Sequence, residues 1–251
     1  MTRDTDQDWT AIAEQTPFWG VLSLKEYEGK ELEEEARLKF YASGEEFVGN
    51  LFSLIRNYFE PEFAPATILD FGCGVGRLLV PFAKRCLHAT GIDIAPEMRR
   101  ICEEHAHAAG ITNIRVCASD DEITQTSEQY DLVNTYIVIQ HIPPERGIFI
   151  INSLCQKIKI GGYGSIQLTY AKSTRFIQNE YVGSQYYRRD ASFINDLTPR
   201  CDPSHPVITM FDYDLNSVFA ILQQFSGSPM ICLPTNDDGH LGIHIIFKRA
   251  R

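Results

Sequence analysis

From Pro65 onward the chain alternates short apolar runs with longer amphipathic stretches. The runs are Thr67 to Phe71, Ala89 to Ile94, Asn113 to Cys117 and Asp131 to Asn134. Each is too short for a free-standing helix, and stretches of roughly ten residues or more with helical spacing lie between them, the pattern of βαβ units in a parallel sheet. Pro143-Pro144 opens a further helix that carries Ile148, Ile151, Leu154, Cys155 and Ile158 on one face, with Gly161-Gly162 as its predicted stop and a strand over Ser165 to Tyr170 after it. A last helical stripe of Leu215, Val218, Phe219, Leu222 and Phe225 leads to two strands, Met230 to Leu233 and Ile243 to Phe247. The turn-forming Asn236-Asp237-Asp238-Gly239 between them predicts an antiparallel hairpin at the sheet edge. The expected fold class is α/β, with a doubly wound, mostly parallel sheet.

The flanking segments read differently. Asp4 to Phe59 has helix signals and no strand signal: Phe47, Leu51, Leu54, Ile55, Tyr58 and Phe59 share one face of a helix that Gly44 precedes and Pro61 follows. Glu31, Glu33, Glu34 and Glu35, with Lys30, Arg37 and Lys39 as partners, form a solvated helix face. Ala171 to Pro206 lacks periodicity and is rich in Tyr, Arg and Asn. A segment of that length without regular pattern in a compact domain reads as a lid or binding loop. The expected organisation is a helical segment over residues 1–60 covering the site, and a core over 61–251 with a substrate cap inserted at about 171–210.

Composition narrows the partners. The 251 residues carry a formal charge of −10, which argues against a nucleic-acid footprint built on clustered Lys and Arg and favours a small-molecule substrate. No run approaches the roughly 18 to 20 apolar residues that span a bilayer, and Met1 to Asp8 is polar, so a cytoplasmic monomer or homodimer away from membranes is expected. The seven cysteines are scattered and never form C-x-x-C, which excludes a disulfide framework and a zinc signature. His105 with His107 and His240 with His244 lack companion ligands at metal spacing, so no metal is expected.

The densest chemical signal is Asp70-Phe71-Gly72-Cys73-Gly74-Val75-Gly76, an acid at a strand end running into a glycine turn before a helix. Such a turn exposes backbone N–H groups at which a ligand can lie. A dinucleotide fingerprint would need glycine at position 77, which is Arg77, and a carboxylate before the turn would repel a pyrophosphate but attract an ammonium group. Asp93 ends the second strand nineteen residues beyond Gly74, the place of an acid that accepts hydrogen bonds from ribose hydroxyls, with Ile94 beside it. Ser119-Asp120 follows the third strand and either receives an adenine amine or belongs to a solvated acidic loop with Asp121 and Glu122.

Together these residues resemble the class I S-adenosylmethionine-dependent methyltransferases, of small-molecule type. Asp70, Gly72, Gly74 and Gly76 match that family's first motif, and Cys73 stands where it accepts small residues. Gly91 to Met98, Tyr130 to Asn134 with Gln140-His141-Ile142, and Lys159 to Gly164 resemble its later motifs in order. The resemblance covers roughly Ala66 to Tyr170. It implies a seven-stranded sheet with the last strand antiparallel, S-adenosylmethionine as cofactor with S-adenosylhomocysteine as product, Asp93 on the ribose, and Thr135 and Tyr136 near the methionine and methyl group.

The expected activity is methyl transfer to an O or N atom of a small, specialised-metabolite acceptor. The alternative is an S-adenosylmethionine-binding protein with a non-methylating catalytic, regulatory or scaffolding role, since the motifs specify a cofactor and not an acceptor. His141 follows the fourth strand at the cofactor end of the sheet and is the candidate general base; a histidine packed under the site is the other reading. Trp19 and Tyr41, with Phe18, are candidates for an aromatic rim or for core packing. In the cap, Arg175 and Tyr181, with Arg188, Arg189, Arg200, Tyr186 and Tyr187, would suit an aromatic or carboxylated substrate or form a solvated loop.

Overall fold

A computed structural model describes residues 4–173, 193–195, 208–227 and 229–251. The apolar runs form a seven-stranded sheet. In chain order its strands are β1 (Thr67–Phe71), β2 (His88–Asp93), β3 (Ile114–Ala118), β4 (Tyr130–Thr135), β5 (Ile158–Lys172), β8 (Ile231–Asp237) and β9 (His240–Lys248). Their spatial order is β3-β2-β1-β4-β5-β9-β8. β1 to β5 pair in parallel, and β9 runs antiparallel to both β5 and β8. Chain order reverses between β1 and β4, and a ligand crevice opens at such a switch beyond the carboxyl ends of the strands. A separate two-stranded ribbon pairs β6 (Phe193–Asn195) with β7 (Met210–Asp212).

Both sheet faces are covered. One core gathers β4, β5 and β9 against α6 (Pro144–Lys157) and α7 (Leu215–Phe225) through Ile151, Leu154, Val218, Leu222 and Phe247. The opposite face packs on α3 (Glu34–Tyr58) through Val48, Leu51, Phe52 and Ile55. A third cluster joins α2 (Pro17–Val21) and α3 to α5 (Pro96–Ala108) by Phe18, Phe40 and Met98. The chain begins with α1 (Thr5–Gln15), whose first turn is capped by the Asp4 carboxylate. The short α4 (Leu79–Ala83) follows the glycine turn. Among the described residues no helix is long and apolar enough to cross a membrane, and no His, Cys, Asp or Glu cluster could hold a metal ion.

Two predicted boundaries moved, the first because a tertiary contact outweighed a glycine's local preference. Gly44 does not precede the helix; α3 runs through it. Glycine inside a helix costs about 1 kcal/mol against alanine, but a Cβ at Gly44 would lie 1.9 Å from the carbonyl oxygen of Arg77. The missing side chain lets α3 lie directly on the turn after β1. Gly161-Gly162 does not stop α6 either. The helix ends at Lys157, whose Nζ donates to Thr126 O at 2.6 Å, and the chain passes straight into β5. Gly161, at φ +85, lies within that strand where its pairing with β4 shifts register. The acidic run is exposed, but α3 begins at Glu34, so Lys30, Glu31 and Glu33 precede the helix instead of lying on its face; Arg37 bonds Glu34, while Lys39 reaches back to Glu26.

Candidate functional site

A cleft opens at the switch point. Its floor is the turn after β1. Gly72, Gly74 and Gly76 all have positive φ, at +74, +52 and +85, a conformation that side-chain-bearing residues resist. Gly72 N and Cys73 N both donate to Ile92 O, which ties the turn to β2. A Cβ on Gly72 would fall 2.3 Å from Val138 Cγ2. The turn therefore carries an open backbone face toward the cleft with Val138 closing over it.

Asp93, at the end of β2, lines the cleft with Ile94. One carboxylate oxygen accepts from Gly74 N at 2.8 Å and the other from Ala95 N at 2.9 Å. These bonds fix the carboxylate and leave lone pairs toward the cleft. Burial raises its pKa, and the two backbone donors partly oppose the shift. Arg99 of α5 donates to the carbonyls of Asp93 and Ile94 at 2.7 and 3.0 Å, pinning the strand end from the other side. Ser119 lines the cleft as well.

The other predicted cofactor residues divide. Tyr136 lines the cleft. Asp70 does not: it lies behind the turn, 2% exposed, where it accepts from Asn134 Nδ2 at 2.8 Å. Desolvation raises its pKa to about 7, opposed by the Asn134 bond and the charge of Arg77. Asn134 passes the network on, since Ser165 Oγ donates to it at 2.8 Å and contacts His244 Nε2 at 2.8 Å. Cys73 is buried against Gly91 and Leu79, and Thr135 is fully buried with no partner for Oγ1. Asp120 is turned into its own loop, accepting from Thr124 N, Thr124 Oγ1 and Gln125 Nε2.

The opposite wall comes from distant parts of the chain. Thr5, Asp6 and Trp9 of α1 face Ile137, Val138, His141 and Ile142 after β4, with Arg146 and Ile150 of α6. Arg146 donates to Asp6 at 2.7 Å and to Asp121 at 2.8 Å, so one guanidinium clamps α1 and the loop after β3 onto α6. His141 is 6% exposed, with the Trp9 ring edge-on at 4.9 Å. Its Nδ1 lies 3.0 Å from Thr209 O. A carbonyl can only accept, so Nδ1 carries the proton and Nε2 keeps its lone pair. Burial pushes its pKa down to about 4, leaving a neutral imidazole at pH 7. Ile137 has φ +61, a strained conformation for a β-branched residue, and its N–H donates to Gln167 Oε1 at 2.9 Å. Gln167 in turn donates to Gln140 at 3.1 Å.

Trp19 and Tyr41 lie outside the lining of this cleft. Tyr41 stacks on His105 with ring centroids 3.5 Å apart, and their cluster joins α3 to α5. Arg175 and Tyr181 fall outside the described residues. Sequence reasoning did not single out Trp9, Asp6, Arg146 or Gln167. The one available signal was the acidic first turn of α1, which marks a helix start but not its partner across the cleft.

A family model described as a methyltransferase domain matches residues 68–162. Ubiquinone biosynthesis O-methyltransferases of Aeromonas salmonicida and Xylella fastidiosa are each 30% identical, over 47% and 49% of this chain and 49% and 50% of the relatives. The chain thus spans about half the length of these curated relatives. The crystal structure of magnesium protoporphyrin IX methyltransferase from Synechocystis PCC 6803 with bound SAH superposes with a TM-score of 0.65 at 17% identity, covering 98% of this chain and 100% of that one. A SAM-dependent methyltransferase from Methanosarcina mazei gives 0.56 at 19%, covering 79% and 98%. The fold is shared with these structures, and the matched stretch coincides with the segment whose motifs resemble the class I methyltransferases.

Proposed function

We propose that the chain is an S-adenosylmethionine-dependent O-methyltransferase acting on a small-molecule hydroxyl, with a specialised metabolite of flat, apolar body as acceptor. The observation that carries this reading is Asp93, fixed by Gly74 N and Ala95 N at the rim of a cleft floored by a positive-φ glycine turn. The residues present suit the cofactor. A Cβ at Gly72 would collide with Val138, so the turn offers bare backbone beside the cleft, and Arg77, a lining residue, has a buried Nε without a hydrogen-bond partner. Asp93 would hold the ribose hydroxyls, Ile94 and Ser119 would flank the adenosine, and the turn's backbone would carry the methionine end.

When bound, S-adenosylmethionine supplies a methyl group on a sulfonium centre. What this chain contributes is position and dryness. Trp9, Val138, Ile142 and Ile150 give the cleft apolar walls that exclude water and fit an acceptor ring. His141, its tautomer set by Thr209 O, holds the lone pair of Nε2 against the Gln140 amide nitrogen at 3.4 Å, and would have to exchange that contact for the acceptor hydroxyl in order to take its proton. The oxygen acceptor is favoured by the O-methyltransferase relatives. The test is transfer of labelled methyl from S-adenosylmethionine to a panel of phenols and the matching anilines. Labelled phenol ethers support the reading; labelled anilines alone, or no product with any acceptor despite tight cofactor binding, contradict it.

A further inference from the structure

Three buried side chains, Gln167, Gln140 and His141, form one unbroken chain of hydrogen bonds between two backbone groups. Ile137 N donates to Gln167 Oε1 at 2.9 Å, and Gln167 Nε2 donates to Gln140 Oε1 at 3.1 Å. Gln140 Nε2 lies 3.4 Å from His141 Nε2, and His141 Nδ1 lies 3.0 Å from Thr209 O.

The backbone groups at the two ends decide every polarity between them. A main-chain N–H can only donate, so Gln167 turns its oxygen to Ile137 and its NH2 to Gln140. Gln140 therefore accepts with its oxygen and has only N–H groups left for His141. From the far end, Thr209 O can only accept, which puts the proton on Nδ1 and the lone pair on Nε2. The two arguments are independent, and they agree where they meet: a donor faces a lone pair. The charged groups nearby are engaged elsewhere, Lys172 with Asp212 and, across the cleft, Arg146 with Asp6.

The lengths also show where the chain can open. The Gln140–His141 contact is the longest of the four, and Gln140 Nε2 has Met210 Sδ at 3.6 Å as a second acceptor. A hydroxyl that displaces Gln140 from His141 Nε2 leaves the amide with a partner. Displacing Thr209 O or Gln167 would instead strand a buried backbone group.

Resting on His141 as the base in the reading above, we propose that Gln140 and Gln167 are positioning residues that carry the polarity of the Ile137 N–H to His141 and keep its Nε2 a proton acceptor.

Nitrogen NMR of the labelled His141 ring at neutral pH, in wild type, Gln140→Glu and Gln167→Glu, tests this. Wild type shows Nδ1 protonated and Nε2 bare. In Gln140→Glu an oxygen replaces the N–H that faced Nε2, and the ring takes up a solvent proton there, which balances the added carboxylate charge. Gln167 is one link removed from His141. In Gln167→Glu an oxygen faces Gln140, whose amide turns over and presents its own oxygen to Nε2, so the same protonation follows. Turnover with a phenol acceptor falls at least about tenfold in both variants, while the dissociation constant for S-adenosylhomocysteine stays within about twofold. Gln167→Glu carries the test if Gln140→Glu does not fold. Merely structural glutamines would change stability and leave the proton count of Nε2 alone; a bare Nε2 in either folded variant, or a protonated one in wild type, would overturn the proposal. Wild type that transfers no methyl group while the NMR pattern holds is a separate failure: it would remove His141 as the base and uphold the polarity of the chain.

Discussion

The two walls of the cleft are built by opposite means. The wall around Gly72, Gly74 and Asp93 is made from residues close in sequence and held by backbone groups: Gly74 N and Ala95 N on Asp93, and Gly72 N on Ile92 O. The facing wall is assembled from α1, the segment after β4, α6 and Thr209, and side chains hold it: Arg146 on Asp6, His141 on Thr209 O, Gln167 on Ile137 N. The Gly72 N–Ile92 O bond joins main chains and survives most substitutions, whereas the Asp93 carboxylate and every tie of the facing wall depend on a side chain that one substitution can remove.

The largest expected effect attacks the backbone-held wall. Asp93→Ala removes the proposed ribose acceptor and frees two backbone donors, and it should lower S-adenosylhomocysteine affinity by at least about 100-fold in calorimetry. Retained affinity would erase the distinction between the walls. His141→Gln attacks the other wall. It should reduce turnover by roughly 100-fold while the dissociation constant for S-adenosylhomocysteine stays within about twofold. A parallel loss of binding would mean that His141 supports the fold of the site and not proton transfer.

Gly44→Ala tests the ground beneath the turn. Its Cβ would meet the Arg77 carbonyl at 1.9 Å, and backbone cannot yield cheaply, so urea denaturation should show a loss of about 2 to 4 kcal/mol. The helix-propensity gain of alanine, about 1 kcal/mol, is too small to offset this. A net stabilisation would show that α3 can slide on the turn.

Acid pH should act through buried neutral histidines. His105, His141 and His244 are each pushed by burial to about 4 from an ordinary 6.5. Between those values the unfolded chain binds protons that the fold refuses, so the histidines' contribution to stability rises with pH from about 4 to 6.5 and is lost as pH falls through that window. Asp70, raised to about 7, acts in the opposite sense, since above pH 3.8 the fold holds a proton that the unfolded chain releases. Asp93, Asp212 and Asp237 are also raised by burial and act in the same sense as Asp70, so the histidine contribution is read as the difference between wild type and a histidine variant. His105→Gln, remote from the cleft lining, should remove about a third of the histidine-driven fall in melting midpoint on acidification; an unchanged slope would contradict the assignment. The smallest effect belongs to Asp6→Asn. It cuts a partly exposed ion pair worth about 0.2 to 1 kcal/mol, and should speed ligand release a fewfold with little change in melting midpoint.

The same contrast explains what could be read from the sequence. The sheet and its glycine turn follow from contiguous patterns, so Thr67–Phe71 emerged with the right bounds and Asp93 at the cleft. Asp120 has the right position after β3, yet its carboxylate is taken by Thr124 and Gln125, a local competition that periodicity cannot see. Gly44 looked like a helix boundary because its partner, the backbone of Arg77, is far along the chain. Trp9 and Asp6 went unnoticed for the same reason: nothing near them in sequence signals that α1 meets His141 and Arg146.

The central claim, that this cleft binds S-adenosylmethionine, is tested most directly by thermal melting of ligand-stripped protein with S-adenosylmethionine, S-adenosylhomocysteine or NAD, for wild type and Asp93→Ala. At about 100 times the dissociation constant a ligand stabilises by roughly 2.7 kcal/mol, a rise of about 5 to 10 °C for a domain of this size. The account predicts that rise with the two sulfur ligands in wild type, its loss in Asp93→Ala, and no response to NAD. A shift with NAD, or none with either sulfur ligand, would contradict it.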